Sequence, residues 1–374
     1  MTLLWHGPAT PLLQAIIADG QGRGLTVKVE YRKYGISDLE AAASAAYSEA
    51  ARIPGYRIAA IGALTANYDG IQIYGYYQNR SAATTATAEV SALPARVAAD
   101  TGVAAEVRPG RPVTDLTLKL SKAQADRLRP SIPAAAPNGN RDQDYSPFSA
   151  SDFMLSPTLR TEGGGYPAGA CSSGFGISVN GVAHITTARH CVKDPYRGGA
   201  NVNDFEAYDY PADKYGSVSG FSGNAGMAAY LSAPGYGSIF DGPYNTGTVR
   251  AIAGFADVGL NDYVCVSGGN SGSHCNIQIT DMLYKFSDGW GAIVNTIQAI
   301  QVNGTIAAME ADSGSGIYQF DGVRWWAVGM VQGGDLFISS CGAARVPVAC
   351  SEDVIFSSVH TILNNIPGSA ILTS

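Results

Sequence analysis

CSSGFGISVNGVAHITTARHC, residues 171–191, begins and ends on cysteine and carries a histidine beside the second one. Val182 to Thr186 alternates in a way that suits a strand, so His190 is expected just past a strand end. A second stretch, MEADSGSGIY at 309–318, places Ser313 in a glycine-rich turn directly after Asp312. Acyl transfer requires a nucleophilic hydroxyl, an imidazole to take its proton, and backbone N–H groups aimed at the developing oxyanion. Taken singly, a histidine beside a cysteine is commonly structural, and an Asp-Ser-Gly triplet is commonly an ordinary turn. As a pair the two stretches supply a candidate base and a candidate nucleophile, with the N–H groups of Ala311 and Ser313 as candidate oxyanion donors.

Working outward, the cysteines bear on the compartment. All six, Cys171, Cys191, Cys265, Cys275, Cys341 and Cys350, lie beyond residue 170. An even number confined to one part of the chain reads as a disulfide framework formed in an oxidising compartment. Unpaired core thiols are the other reading. A zinc site is disfavoured because no CxxC spacing occurs and the chain has only five histidines. His274, beside Cys275, reads as structural.

Together these segments resemble the trypsin/chymotrypsin superfamily, and in particular its secreted bacterial branch containing the streptogrisins and alpha-lytic protease. ITTARHC is similar to the family's histidine motif and ADSGSG to its serine motif. The resemblance covers about residues 160–374 and implies a double β-barrel ending in a helix. It implies the disulfides Cys171–Cys191 and, through VCVSGGNSGSHC, Cys265–Cys275, which leaves Cys341–Cys350 as the third. AVGMVQGGD is similar to the family's substrate-lining strand, which puts Gln332, Gly333 and Gly334 at recognition positions. Family spacing puts Ala307 at the base of the primary pocket. A pocket floored by alanine offers no charge to lysine or arginine, so an apolar side chain before the cut bond is expected.

Three positions depart from the pattern. The family's catalytic aspartate follows a glycine-containing turn, and the matching text FSGNAGMAAYL puts Ala225 there. A methyl group cannot accept the imidazole N–H, so His190 loses the residue that orients it. Asn224 is adjacent, and Asp204, Asp209, Asp213 and Asp241 are the other candidate acids. Ala311 stands where the serine motif has glycine, and Gln332 where the family often has serine.

The first third reads differently. Leu25, Val27, Val29 and Tyr31 alternate as a strand. Ser37 and Glu40 suggest a capping box, ahead of Leu39, Ala42, Ala43, Ala46, Tyr47 and Ala50 at helical spacing. Strands are expected at 56–64 and 71–77, an Ala-rich helical stretch at 86–99 that Pro94 must start, kink or divide, and a strand at 103–107. That order is βαββαβ, a small α/β sandwich with both helices on one sheet face. It resembles the pro-regions carried by secreted bacterial proteases, and the resemblance implies an intramolecular partner that assists folding and masks the site. Residues 113–129 suggest one more helix through Leu118, Leu120, Ala123 and Leu128. The expected organisation is therefore an α/β pro-region-like domain over 1–129, a Pro-rich linker over 130–148, and an all-β domain over 149–374, with helical pattern returning at 354–363.

Composition excludes several alternatives. The 374 residues are 46% apolar and 15% charged, which suits a globular rather than a disordered chain. A net charge of -7 gives no reason to expect nucleic acid or an anionic membrane as partner, and no apolar run is long enough for a membrane span. The first twenty residues do not read as a signal peptide. The expected function is a secreted serine endopeptidase in pro-form, impaired by Ala225 and acting on peptide or protein substrates without metal or cofactor. The alternative is a protease-like module that binds peptides or proteins without turnover.

Overall fold

The computed structural model describes residues 2–121, 123–124, 141, 144–156, 159–161, 164–166, 168–192, 206–207, 210–287 and 293–374. The chain divides into two compact units. One is Met1–Pro112 with Leu283–Lys285, and the other is Val113–Met282 with Phe286–Ser374.

The first unit contains β1 (Thr2–His6), α1 (Pro11–Gly22), β2 (Lys28–Arg32), α2 (Ile36–Ala50), β3 (Tyr56–Gly62), β4 (Ile71–Tyr77), α3 (Arg80–Thr101) and β5 (Ala105–Pro109). From β2 onward the order is the expected βαββαβ. β3 and β4 pair antiparallel, β4 and β5 pair parallel, and β2 pairs with β1 instead of joining them. Leu39, Ala42, Ala43 and Ala46 of α2 share one core cluster with Val90, Leu93 and Val97 of α3 and with Ile61, Ile71 and Ile73. The small alanine side chains let the two helices lie close against β-branched sheet residues. Leu283 joins this cluster, and the Tyr47 hydroxyl donates to the Lys285 carbonyl at 3.2 Å.

Two local expectations are corrected. The start of α2 is Gly35, extended at φ -81°, and its N–H is received by Asp38 Oδ2 at 2.9 Å. The capping pair is thus Gly35 with Asp38, two residues before Ser37 with Glu40, and Glu40 instead faces Lys285 Nζ at 3.5 Å. α3 is continuous through Pro94, with Asn79 capping its start and Gly102, at φ 74°, ending it.

The second unit is largely β. One sheet orders Val218–Phe221, Ala228–Leu231, Val182–Ala188, Gly176–Val179 and Ser369–Ile371, over a core including Ile177, Ile185, Ala188, Leu231 and Met330. Another β framework includes Tyr263–Gly268, Gly316–Phe320, Trp325–Gly334, Asp353–Ser358 and Ile293–Gln301, over Val264, Val266, Ile279, Val328, Val331 and Phe356. The terminal helix is Val359–Asn364; residues 354–358 belong to a strand, which shortens the helix expected from 354.

Residues 113–120 are also not helical. They form β6 (Thr114–Asp115) and β7 (Leu118–Leu120). Leu116, Leu118 and Leu120 alternate with Thr117 and Lys119, the two-residue period of a strand, and Leu118 and Leu120 are buried while Lys119 is exposed. Of the expected linker 130–148, only Arg141 and 144–148 lie within the described residues.

Candidate active site

His190 lies in the single turn Arg189–Val192 that follows the strand Val182–Ala188. Two links hold that turn. Cys191 is bonded to Cys171, and the Arg189 N–H donates to the Met227 carbonyl at 2.7 Å. Ser313 lies between the short strand Ala308–Met309 and the strand Gly316–Phe320. The two side chains meet, with His190 Nε2 2.7 Å from Ser313 Oγ and both residues buried. That is hydrogen-bond distance for transfer of the hydroxyl proton to the imidazole.

The serine turn is rigid for identifiable reasons. Asp312, fully buried, accepts from the N–H groups of Asn270 (3.0 Å), Ser271 (3.2 Å) and Met309 (2.9 Å) and from Ser271 Oγ (2.6 Å). Burial raises its carboxyl to about 6, and these donors oppose the rise. Asn270 ties the neighbouring loops together, donating from Nδ2 to the carbonyls of Glu310 and Val346 and accepting the Val346 N–H. Gly314 takes φ 92°, and a Cβ there would collide with the Ser172 carbonyl, so only glycine fits.

Ala311 also takes a positive φ, 77°. That conformation costs an L-residue roughly 1–2 kcal/mol, and the Ala311 N–H donates to a carbonyl outside the turn. The acceptor is the Leu116 carbonyl, at 2.5 Å. Leu116 is fully buried and shares an apolar cluster with Ala307, Ala308 and Val331. The strand Trp325–Gly334 is engaged too. Gly333 pairs with Asp115 and Gly334 with Thr114, antiparallel, and a Cβ on Gly333 would lie 2.6 Å from the Thr114 carbonyl. Gln332 is buried, and its amide nitrogen and oxygen have no hydrogen-bond partner among the described residues.

Ala225 lies in the turn Gly223–Gly226, between the strands Val218–Phe221 and Ala228–Leu231. Ala228 is registered with Ala188, two residues before His190, so this turn flanks the histidine's element. The side chains of Asn224, Ala225 and Asp213, and all of Asp204 and Asp209, lie outside what the structure describes. Asp241 is occupied elsewhere: Tyr318 Oη donates to it at 2.8 Å and Arg250 Nε lies 3.3 Å away. The remaining sulfurs are bonded as Cys265–Cys275 and Cys341–Cys350. His274 is held well below the usual histidine range, at about 4, mainly by burial, and its Nε2 lies 3.2 Å from the Ser271 carbonyl.

Sequence reading missed Leu116 and the strands on either side of it, and it missed Arg141. The signal for the first was the alternation of residues 116–120; for Arg141 there was none.

No family model matches the chain, and no curated protein does. Among the solved structures similar to it are three proteases. A glutamic acid-specific serine protease that uses a histidine triad in substrate binding shares 18% identity over 54% of this chain and 93% of its own, with a TM-score of 0.40. Nocardiopsis protease shares 20% identity over 55% and 93%, with a TM-score of 0.38. Thermobifida fusca protease A shares 16% over 55% and 92%, with a TM-score of 0.36.

Proposed function

We propose that the second unit is a serine endopeptidase of the chymotrypsin-like superfamily, built as a double β-barrel of the secreted bacterial type. The observation that carries this reading is the contact of 2.7 Å between His190 Nε2 and Ser313 Oγ, beside the Ala311 N–H that already holds a peptide carbonyl. In this reading Ser313 attacks the substrate carbonyl as His190 takes its proton, and the Ala311 and Ser313 N–H groups stabilise the oxyanion. His190 then protonates the leaving amine, and water hydrolyses the acyl-enzyme. Three disulfides suit a secreted protein in an oxidising compartment. The α/β unit is read as an intramolecular pro-region, so that the chain is a pro-form.

The second reading is a peptide-binding module without turnover, favoured by alanine at position 225. A fluorophosphonate probe separates the two, because it labels only a serine activated by its base. Labelling of Ser313, abolished in Ser313→Ala and accompanied by hydrolysis of an apolar peptide ester, supports the protease. Absence of both in correctly folded protein whose groove has been freed of residues 113–120 rejects it.

A further inference from the structure

Val113–Leu120 crosses the site from one side to the other. β6 pairs antiparallel with Gly333–Gly334, on the strand expected to line the substrate groove. β7 pairs antiparallel with Ala168–Ser172, Leu118 opposite Ala170 and Leu120 opposite Ala168, next to the Cys171–Cys191 bridge. Between the two pairings lie Leu116 and Thr117, and the Leu116 carbonyl is held by the Ala311 N–H. The Leu116 side chain is buried in the cluster containing Ala307. Leu118 and Leu120 pack in another cluster with Ala311 itself, Phe153 and Leu155. Main-chain pairing on both sides, a filled apolar pocket and an occupied oxyanion donor are how an extended peptide substrate is held.

We infer that Val113–Leu120 is seated as a substrate of the chain's own site, that Leu116–Thr117 is the bond cut, and that the pocket selects leucine-sized aliphatic residues. This rests on the protease reading above. Ser313 Oγ bonds to the Leu116 carbonyl carbon and its proton passes to His190 Nε2. The carbon–nitrogen bond then breaks with its electron pair going to the Thr117 nitrogen, which takes the proton from His190. Water displaces the serine ester, giving up one proton through His190 to restore the hydroxyl, and leaves a carboxylate on Leu116. Until then Asp115 Oδ1 holds the Thr117 N–H at 3.2 Å, which opposes early departure of the amine. The seated segment also blocks the groove.

Two full-chain measurements test this. Intact mass and N-terminal sequencing during incubation are expected to show one cut, giving 1–116 and 117–374. Ser313→Ala abolishes it, Leu116→Met retains it, and Leu116→Ala slows it by about 10² or more, since each missing methylene in such a pocket costs about 10-fold or more. A cut at another bond, or a rate indifferent to residue 116, overturns the inference. Deuterium exchange on the uncleavable Ser313→Ala protein reports seating without chemistry. Protection of 113–120 that is lost on adding Leu116→Asp is expected, and an unprotected segment overturns the seating. Protection without labelling of Ser313 in any variant, the displaced Leu116→Asp included, identifies failure of the protease reading and rules out the scissile bond with it.

Discussion

At the residue scale, Asp312 sits at the centre of the serine turn, its carboxyl buried among four donors. Burial raises that carboxyl to about 6, above the ordinary 3.8 of the unfolded chain. The folded state therefore holds the proton more tightly, and stability from this group is greatest below about pH 4. It is lost as pH rises toward 6 and is constant above that. The rise corresponds to about 3 kcal/mol at most. Asp312→Asn removes the titration, although its amide can satisfy only part of the donor set and lowers stability at every pH. The stability difference between the parent and Asp312→Asn, from chemical denaturation, is expected to shrink as pH rises from 4 to 6. A difference independent of pH would show that Asp312 does not titrate in that window.

At the scale of elements, what could be read ahead followed the physics of each signal. His190 and Ser313 were legible because each sits in a short local arrangement that chemistry constrains: a strand end beside a cysteine, and a glycine-flanked turn. The βαββαβ order was legible from periodicity, since each helix buries one apolar stripe, rich in alanine in α2 and carrying Val90, Leu93 and Val97 in α3. β6 and β7 were not. A two-residue strand has too few positions to show a period, and Leu118 and Leu120 satisfied a helical reading once Ala123 and Leu128 were counted with them. Their strand character comes from long-range pairing with Gly333–Gly334 and Ala168–Ser172, which no local pattern encodes. Ala225 is also a matter of an element. Its turn leads into the strand that registers with the strand preceding His190, which makes position 225 the one to test for the acid. Ala225→Asp is expected to raise turnover of a leucyl ester by about 10²-fold, within the roughly 10⁴ that an orienting aspartate is worth in trypsin-like enzymes. The gain stays below that ceiling because strain at Ala311 and the unpartnered amide of Gln332 remain. Equal turnover before and after the substitution, in equally folded protein, rejects Ala225 as the sole defect.

At the scale of the whole molecule, the segment read as linker is not uniform, because Arg141 within it is fully buried. Its Nη1 donates to the Ser151 carbonyl (3.0 Å), Ser267 Oγ (2.9 Å) and the Gly268 carbonyl (2.9 Å), and Nη2 donates to the Gly242 carbonyl (3.2 Å). Its backbone is held as well, N–H to the Thr246 carbonyl and carbonyl from the Phe153 N–H. Burial lowers the guanidinium to about 10, and attraction from Asp312, Asp152, Tyr318 and Asp241 opposes that. The loop receiving Arg141 at 267–268 continues into Asn270 and Ser271, whose N–H groups hold Asp312, so the cation braces the serine turn from behind. A cut after Leu116 leaves Arg141 attached to the catalytic unit, whereas a cut beyond it would strand four acceptors and the buried carboxylates. Arg141→Met is therefore expected to cost about 3–5 kcal/mol of unfolding free energy, as removal of one member of a buried charge network does. Arg141→Lys should recover less than half, since a single ammonium cannot reproduce the guanidinium fork. Combining Arg141→Met with Asp312→Asn should cost less than the sum of the two, because each then removes a charge the other no longer has to balance. Chemical denaturation of the parent, the two single variants and the double variant reads this directly, and strictly additive losses would show that Arg141 fills space without bracing Asp312.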